Sequence, residues 1–177
     1  VASHGNQLAF DGVHVTWGGA RLDLAGERGE RWNVRAALAA PSLDMLDTLA
    51  SGRLSAALEV EGPVDTPRVR ITARGDSLGY HGDEVDSLSF SAAAGLRSDD
   101  STRVSLEARG ALLGGIPLER VTFGARGTTA RHTLDASAFT ARESLFTEAT
   151  GGLDHARWSG MLERLDLFSY HAGKWSL

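Results

Sequence analysis

The chain has 177 residues, no Cys, 21 Gly, four Pro and a formal net charge of −5. That length fits one domain or a slice of a longer protein, and the composition excludes collagen-like and Pro-rich linker sequences. The 18 basic residues are dispersed, with Lys174 the one Lys, which excludes a nucleic-acid surface, and no apolar run reaches the ~18–20 residues of a membrane span.

Leu, Ile, Val and Phe only just clear the ~20% below which disorder is the rule. Much of the 42% hydrophobic fraction is Ala, 25 residues in all, so a thick core is not promised. The chain opens at Val1, has Met only at 45 and 161 and shows no charged-then-apolar leader. It therefore reads as a segment of a larger protein. The absence of Cys is compatible with an oxidising compartment.

Alternation dominates from the start. Leu22 and Leu24, then Trp32, Val34, Ala36 and Leu38, place apolar groups on one parity, the signature of a strand with one apolar face. The stretch 42–50 breaks the pattern. Leu43, Leu46 and Leu49 recur at helical spacing, with Ser42 as an N-cap and Gly52 as a stop, which predicts one short helix of about two turns. Alternation then returns in Leu54/Ala56/Leu58/Val60, Val69/Ile71/Ala73, Leu88/Phe90/Ala92/Ala94, Val104/Leu106/Ala108, Val121/Phe123/Ala125 and Leu134/Ala136/Ala138. Further strands are expected around Trp158/Leu162, Leu165/Leu167 and Trp175/Leu177, with a turn at His171–Gly173.

Antiparallel hairpins satisfy both faces of these strands at once. Pairing Glu61 with Arg68 across the turn-rich 62–67 brings Glu59 to Arg70, Val60 to Val69 and Leu58 to Ile71, with opposite charges outside and apolar pairs inside. Pairing Phe90 with Leu106 brings Leu88 to Ala108 and Ala92 to Val104. A third hairpin is expected to pair Phe123 with Leu134 and Val121 with Ala136. The phrases Leu88–Ala92 and Val121–Ala125 lie 33 residues apart in similar contexts, a weak internal repeat suited to a sheet that grows by repetition. The fold class is all-β, an antiparallel meander.

Catalytic and metal-binding patterns do not stand out. The sequence holds no G-x-S-x-G, H-E-x-x-H or P-loop phrase, and the six His are scattered. His132 has the parity of the apolar face. Beside its turn it reads as a strand-end His, and with a groove it would sit at the edge. Asp44/Asp47, Asp83/Glu84/Asp86 and Asp99/Asp100 lack the spacing of a Ca²⁺ loop and read as solvated turns. Gly124–Gly127 lacks the strand-to-helix setting of a phosphate loop. The chain is expected to be no enzyme and to need no metal or cofactor.

An apolar sheet face can be kept from water in two ways. Two faces can pack in a sandwich or barrel, giving a self-contained binding module. Alternatively, a curved sheet can leave its concave face open as a groove for an apolar ligand. The inward positions are rich in Ala (Ala56, Ala73, Ala92, Ala108 and Ala125 among them), and two such faces ~10 Å apart would leave voids. Periodicity leaves both architectures open.

Three phrases resemble a known family. Residues 52–67, Gly-Arg-Leu-Ser-Ala-Ala-Leu-Glu-Val-Glu-Gly-Pro-Val-Asp-Thr-Pro, resemble its G-x-L-x-A-x-L-x-V-x-G-T-x-x-x-P, with Pro63 in place of the commoner Thr. Residues 127–134 resemble its G-T-x-x-x-H-x-L, and residues 158–177 its W-x-G-x-L-x-x-L-x-L followed by G-x-W-x-L. Order and phrasing are similar to the TamB family (translocation and assembly module) and, less closely, to its AsmA-like relatives. Residues 1–51 carry no such phrase.

The resemblance implies a β-groove segment, here 1–177, of a large periplasmic protein anchored in the inner membrane. It implies a curved, taco-like sheet with an apolar concave face, an Omp85-type outer-membrane partner and a role in envelope biogenesis. The function expected is conduction of phospholipids between the membranes, with acyl chains lying on Leu54, Leu58, Val60, Val69, Ile71, Leu88, Phe90, Leu106, Phe123 and Leu134. The alternative is a chaperone or assembly factor that holds unfolded outer-membrane β-barrel or autotransporter segments by strand addition. Open edge strands also leave room for edge-to-edge self-association.

Overall fold

The computed structural model describes residues 2–4, 7–95, 97, 99–154 and 157–177. Thirteen strands follow one another in it. β1 (Ala2–His4), β2 (Gln7–Trp17), β3 (Ala20–Arg28) and β4 (Arg31–Ala40) precede the longest strand, β5 (Ala50–Pro63). Then come β6 (Arg68–Tyr80), β7 (Asp83–Gly95), β8 (Thr102–Leu113), β9 (Ile116–Gly127), β10 (His132–Phe139), β11 (Glu143–Asp154), β12 (Arg157–Ser169) and β13 (Gly173–Ser176). Their order in space is their order in sequence, in a single antiparallel sheet.

The sheet is curved and does not close, since each strand touches only its sequence neighbours. No second layer lies on either face among the described residues, so the sandwich alternative falls away. The accessible surface is 12033 Å², against roughly 8,300 Å² for a compact monomer of this mass. Apart from Pro67, only five described apolar side chains are buried: Ala20, Val34, Ala40, Ala108 and Ala111. Neighbouring side chains cover these small groups; there is no core between layers.

Turn chemistry sets the two ends of the strands. Gly18–Gly19, His81–Gly82 and Gly114–Gly115 each link strands through two residues at positive φ, the type I′ geometry that matches the strand twist. Because the sheet is a meander, these three turns lie at the same end.

The first two expected hairpins have the expected registers. Glu61 faces Arg68, Glu59 faces Arg70 and Leu58 faces Ile71, while Phe90 faces Leu106 and Leu88 faces Ala108. The third differs by two residues: Phe123 faces Ala136, Val121 faces Ala138 and Leu134 faces Ala125. The cause is the turn, which closes on Thr128–Arg131. The Thr128 amide donates to the Arg131 carbonyl at 2.7 Å, and the Arg131 amide donates to Thr128 Oγ1 at 3.1 Å. An even shift keeps every side chain on its face.

The expected helix at 42–50 is absent, and the segment forms turns. The Asp47 amide donates to the Leu43 carbonyl at 3.0 Å, but this single helical turn does not propagate. Ser42 bonds the Asp44 side chain, and Asp47 Oδ1 accepts from the Leu49 amide at 2.9 Å. These local bonds compete with a helix too short to repay its nucleation. The turn instead packs Met45 and Leu46 against Gly18 at the tip of the β2–β3 hairpin.

A shared irregularity crosses four strands. Ser77, Asp86, Gly110 and Glu119 drop out of their ladders while the flanking pairs keep register. Ser77 and Gly110 have φ of 50° and 56°. Beyond this crease Leu78 reaches back over Gly75, so apolar groups again meet the apolar face.

Candidate functional site: one apolar face

Residues directly opposite in a ladder share a face, so the registers trace rows across the sheet. Leu58, Ile71 and Leu134 lie in one row, which runs Val13, Leu24, Ala36, Leu58, Ile71, Ala92, Val104, Ala125, Leu134, Ala149, Leu162. Eleven consecutive strands each contribute an apolar residue to it. Phe90, Leu106 and Phe123 are consecutive in the next row. Leu54 and Leu88 flank Gly75 in a third, and Val60 faces Val69 in a fourth. All ten residues expected from sequence therefore share one face.

The rows run at right angles to the strands. At ~4.8 Å per strand the longest extends over roughly 48 Å. They form an open strip: Ile71 is 37% and Phe123 39% exposed. In β4 and β5 the side chains of this parity are half-buried or buried, while most of those on the other parity are exposed.

The opposite face is charged. Arg35 pairs with Glu61 at 3.4 Å, Arg70 with Glu59 at 3.5 Å, and Arg109 and Arg120 share Glu107 at 2.8 and 3.5 Å. These are solvent-exposed pairs worth little each, but they assign the face to water. Arg21 and His14 bond Asp23 and hold its carboxyl below the ordinary range.

His132 lies on the apolar face, in the row of Gly127 and Gly151. Trp158 Nε1–H donates to its Nε2 at 2.8 Å. An indole nitrogen only donates, so Nε2 accepts and Nδ1–H donates to the Thr128 carbonyl at 3.2 Å. The indole reaches His132 across two glycines; a Cβ on Gly151 or Gly160 would lie 2.6 or 2.5 Å from it. His132 sits at the border that its parity and its turn predict, but the sequence carries no sign of its partner, 26 residues away.

Among the described residues no group of three His, Cys, Asp or Glu is placed to hold a metal. Among the described residues no helix is long and apolar enough to cross a membrane.

The family model described as TamB, N-terminal domain, matches residues 1–177. The chain belongs to the TamB family. The match extends over residues 1–51, where the sequence phrases had been silent. No solved structure matches the chain. What this TamB-family chain offers a partner, on its own geometry, is the apolar strip, bordered along each side by a line of hairpin turns.

Proposed function

We propose that the apolar face is the concave face of the curved sheet and that it conducts phospholipids between the two membranes of the envelope. The observation that carries this is the set of apolar rows, unbroken across many strands and covered by no second layer. In β4 and β5, half-burial of that parity without a covering layer supports its being the inner side of the curve there. Moving one sixteen-carbon chain through water costs on the order of 12 kcal/mol at ~0.8 kcal/mol per CH₂. A continuous apolar strip removes most of that cost, and small aliphatic side chains leave no deep pocket to trap a lipid. Family membership supports a role in envelope biogenesis. In this reading the protein is periplasmic, anchored in the inner membrane, non-enzymatic and joined to an Omp85-type partner.

Leu58→Glu with Ile71→Glu places two carboxylates opposite each other in one row. In cells carrying the full-length protein, this pair is expected to abolish lipid passage and weaken the outer membrane, with the β-rich circular dichroism of the purified protein unchanged. If lipid still passes, the conduit reading is wrong.

One observation favours the chaperone reading. β13 pairs only with Asp166–Ser169, so the outer edge of β12 from Arg157 to Arg164 has no described strand beside it, and such an edge can accept an added strand. Photo-crosslinkers separate the two. Lipid adducts from Leu58 and Leu106 support the conduit, and outer-membrane protein adducts from Ser159 and Met161 support strand addition.

A further inference from the structure

We infer that Arg28 receives the phosphate of a phospholipid held on the apolar face, and so sets which way the lipid lies; this rests on the lipid reading above. Arg28 faces Trp32, which faces Gly62. Among the described residues it is the one Arg or Lys paired into the rows of this face; the carboxylates of the same parity, Asp83 and Glu143, lie at the opposite border. Its guanidinium carbon lies 5.2 Å from the centre of the Trp32 ring. Its Nε is withdrawn from water and has no hydrogen-bond partner. None of the described carboxylates forms an ion pair with it.

A buried N–H on a cation calls for an anionic acceptor. The contact with the Trp32 ring holds the guanidinium at this end of the sheet, and its planar fork suits a phosphate, which can take two parallel N–H bonds. The position adds direction. Arg28 and His132 both sit at the strand ends next to the β3–β4 and β9–β10 turns, which the meander places along the same border. The opposite border carries Trp17, Tyr80 and Ile116, 70%, 54% and 59% exposed. A lipid on this face lies with its head at the Arg28 border and its tails directed across the rows toward the Trp17 border.

The test measures binding of two amphiphiles with the same tail, dodecyl phosphate and dodecyl maltoside, to the full chain. Each is kept below its micelle concentration, with inorganic phosphate as competitor. Wild type is expected to prefer dodecyl phosphate by about tenfold, the effect of one charged hydrogen-bonding group. Arg28→Gln should erase that preference and leave maltoside affinity unchanged, with Arg28→Lys in between. Unchanged maltoside binding also reports that the variant is folded. A preference that survives Arg28→Gln overturns the inference and leaves the lipid reading intact. Displacement of dodecyl phosphate by inorganic phosphate at similar concentration shows a free-anion site and also overturns it. If neither amphiphile binds wild type, the lipid reading itself has failed.

Discussion

Trp158 lies flat because Gly151 and Gly160 leave it room. Gly160→Ala is expected to lift the indole and break its bond to His132, and because the new Cβ also meets the Thr150 carbonyl the cost should exceed the ~0.5–1.5 kcal/mol of the hydrogen bond. The checks are the indole N–H proton resonance, which should move toward its solvent-exposed position, and the denaturation midpoint. A second residue pins the end of the sheet. Ser176 and then Arg164 hold the Asp166 carboxyl below its ordinary value of 3.8. The folded form therefore keeps its charge to lower pH than the unfolded chain. Its contribution is complete above 3.8 and fades as pH falls from there through the lowered value. Amide exchange at Leu165 in β12 and at Leu177 just past β13, which bond each other, should quicken over that acid range. Asp166→Asn should remove this pH dependence.

At the scale of elements, the turns hold registers that the strands alone would leave loose. Gly114 and Gly115 sit at φ of 56° and 80°, where a β-branched side chain is strained. Gly114→Val should destabilise the β8–β9 hairpin by about 1–2 kcal/mol, read as a lowered thermal midpoint. Sequence legibility followed the same logic. Where apolar parity and opposite charges agreed, as at Glu59 and Arg70, the register could be read off before the fold. Between β9 and β10 parity was right but the turn boundary was not, because Thr128 closes the turn through its own side chain. β11 escaped notice because Phe146 breaks the alternation. It lies on the charged face, under the Arg164 guanidinium at 4.7 Å. The extra residue of β12 opposite Glu148/Ala149 shifts the parity from Leu162 to Leu165 for a reason no period-2 count reveals. The spacing of Leu43, Leu46 and Leu49 looked helical, yet one turn with two competing Asp side chains is all those residues support.

For the molecule as a whole, the excess of exposed surface is the defining quantity. The ten strip residues were legible as a set because period 2 fixes the face. The single-layer architecture was not, since the same alternation serves a sandwich equally well. A native protein whose largest apolar surface is open should bind an apolar dye such as ANS at neutral pH with its near-ultraviolet circular dichroism intact. Dye binding only after acid or denaturant would mean that the strip is covered. Because strands touch only their neighbours, stability should also be graded along the sheet. Hydrogen exchange is expected to be slowest in β5–β9 and fastest in β1 and β13. Uniform protection would contradict the nearest-neighbour arrangement.

The 33-residue spacing between Phe90 and Phe123 has a consequence for how such a protein changes size. β7 and β9 run in the same direction, and the two Phe occupy equivalent places in one row. Deleting residues 91–123 would splice the first half of β7 to the second half of β9, with β6 on one side and β10 on the other. Every side chain would keep its face, and the sheet would shorten by two strands, about 9.6 Å. Small-angle scattering of that deletion variant should show the shorter long axis with β content per residue preserved. Duplicating the same stretch would lengthen the strip by the same step, so a gene can set the reach of this architecture in whole hairpins.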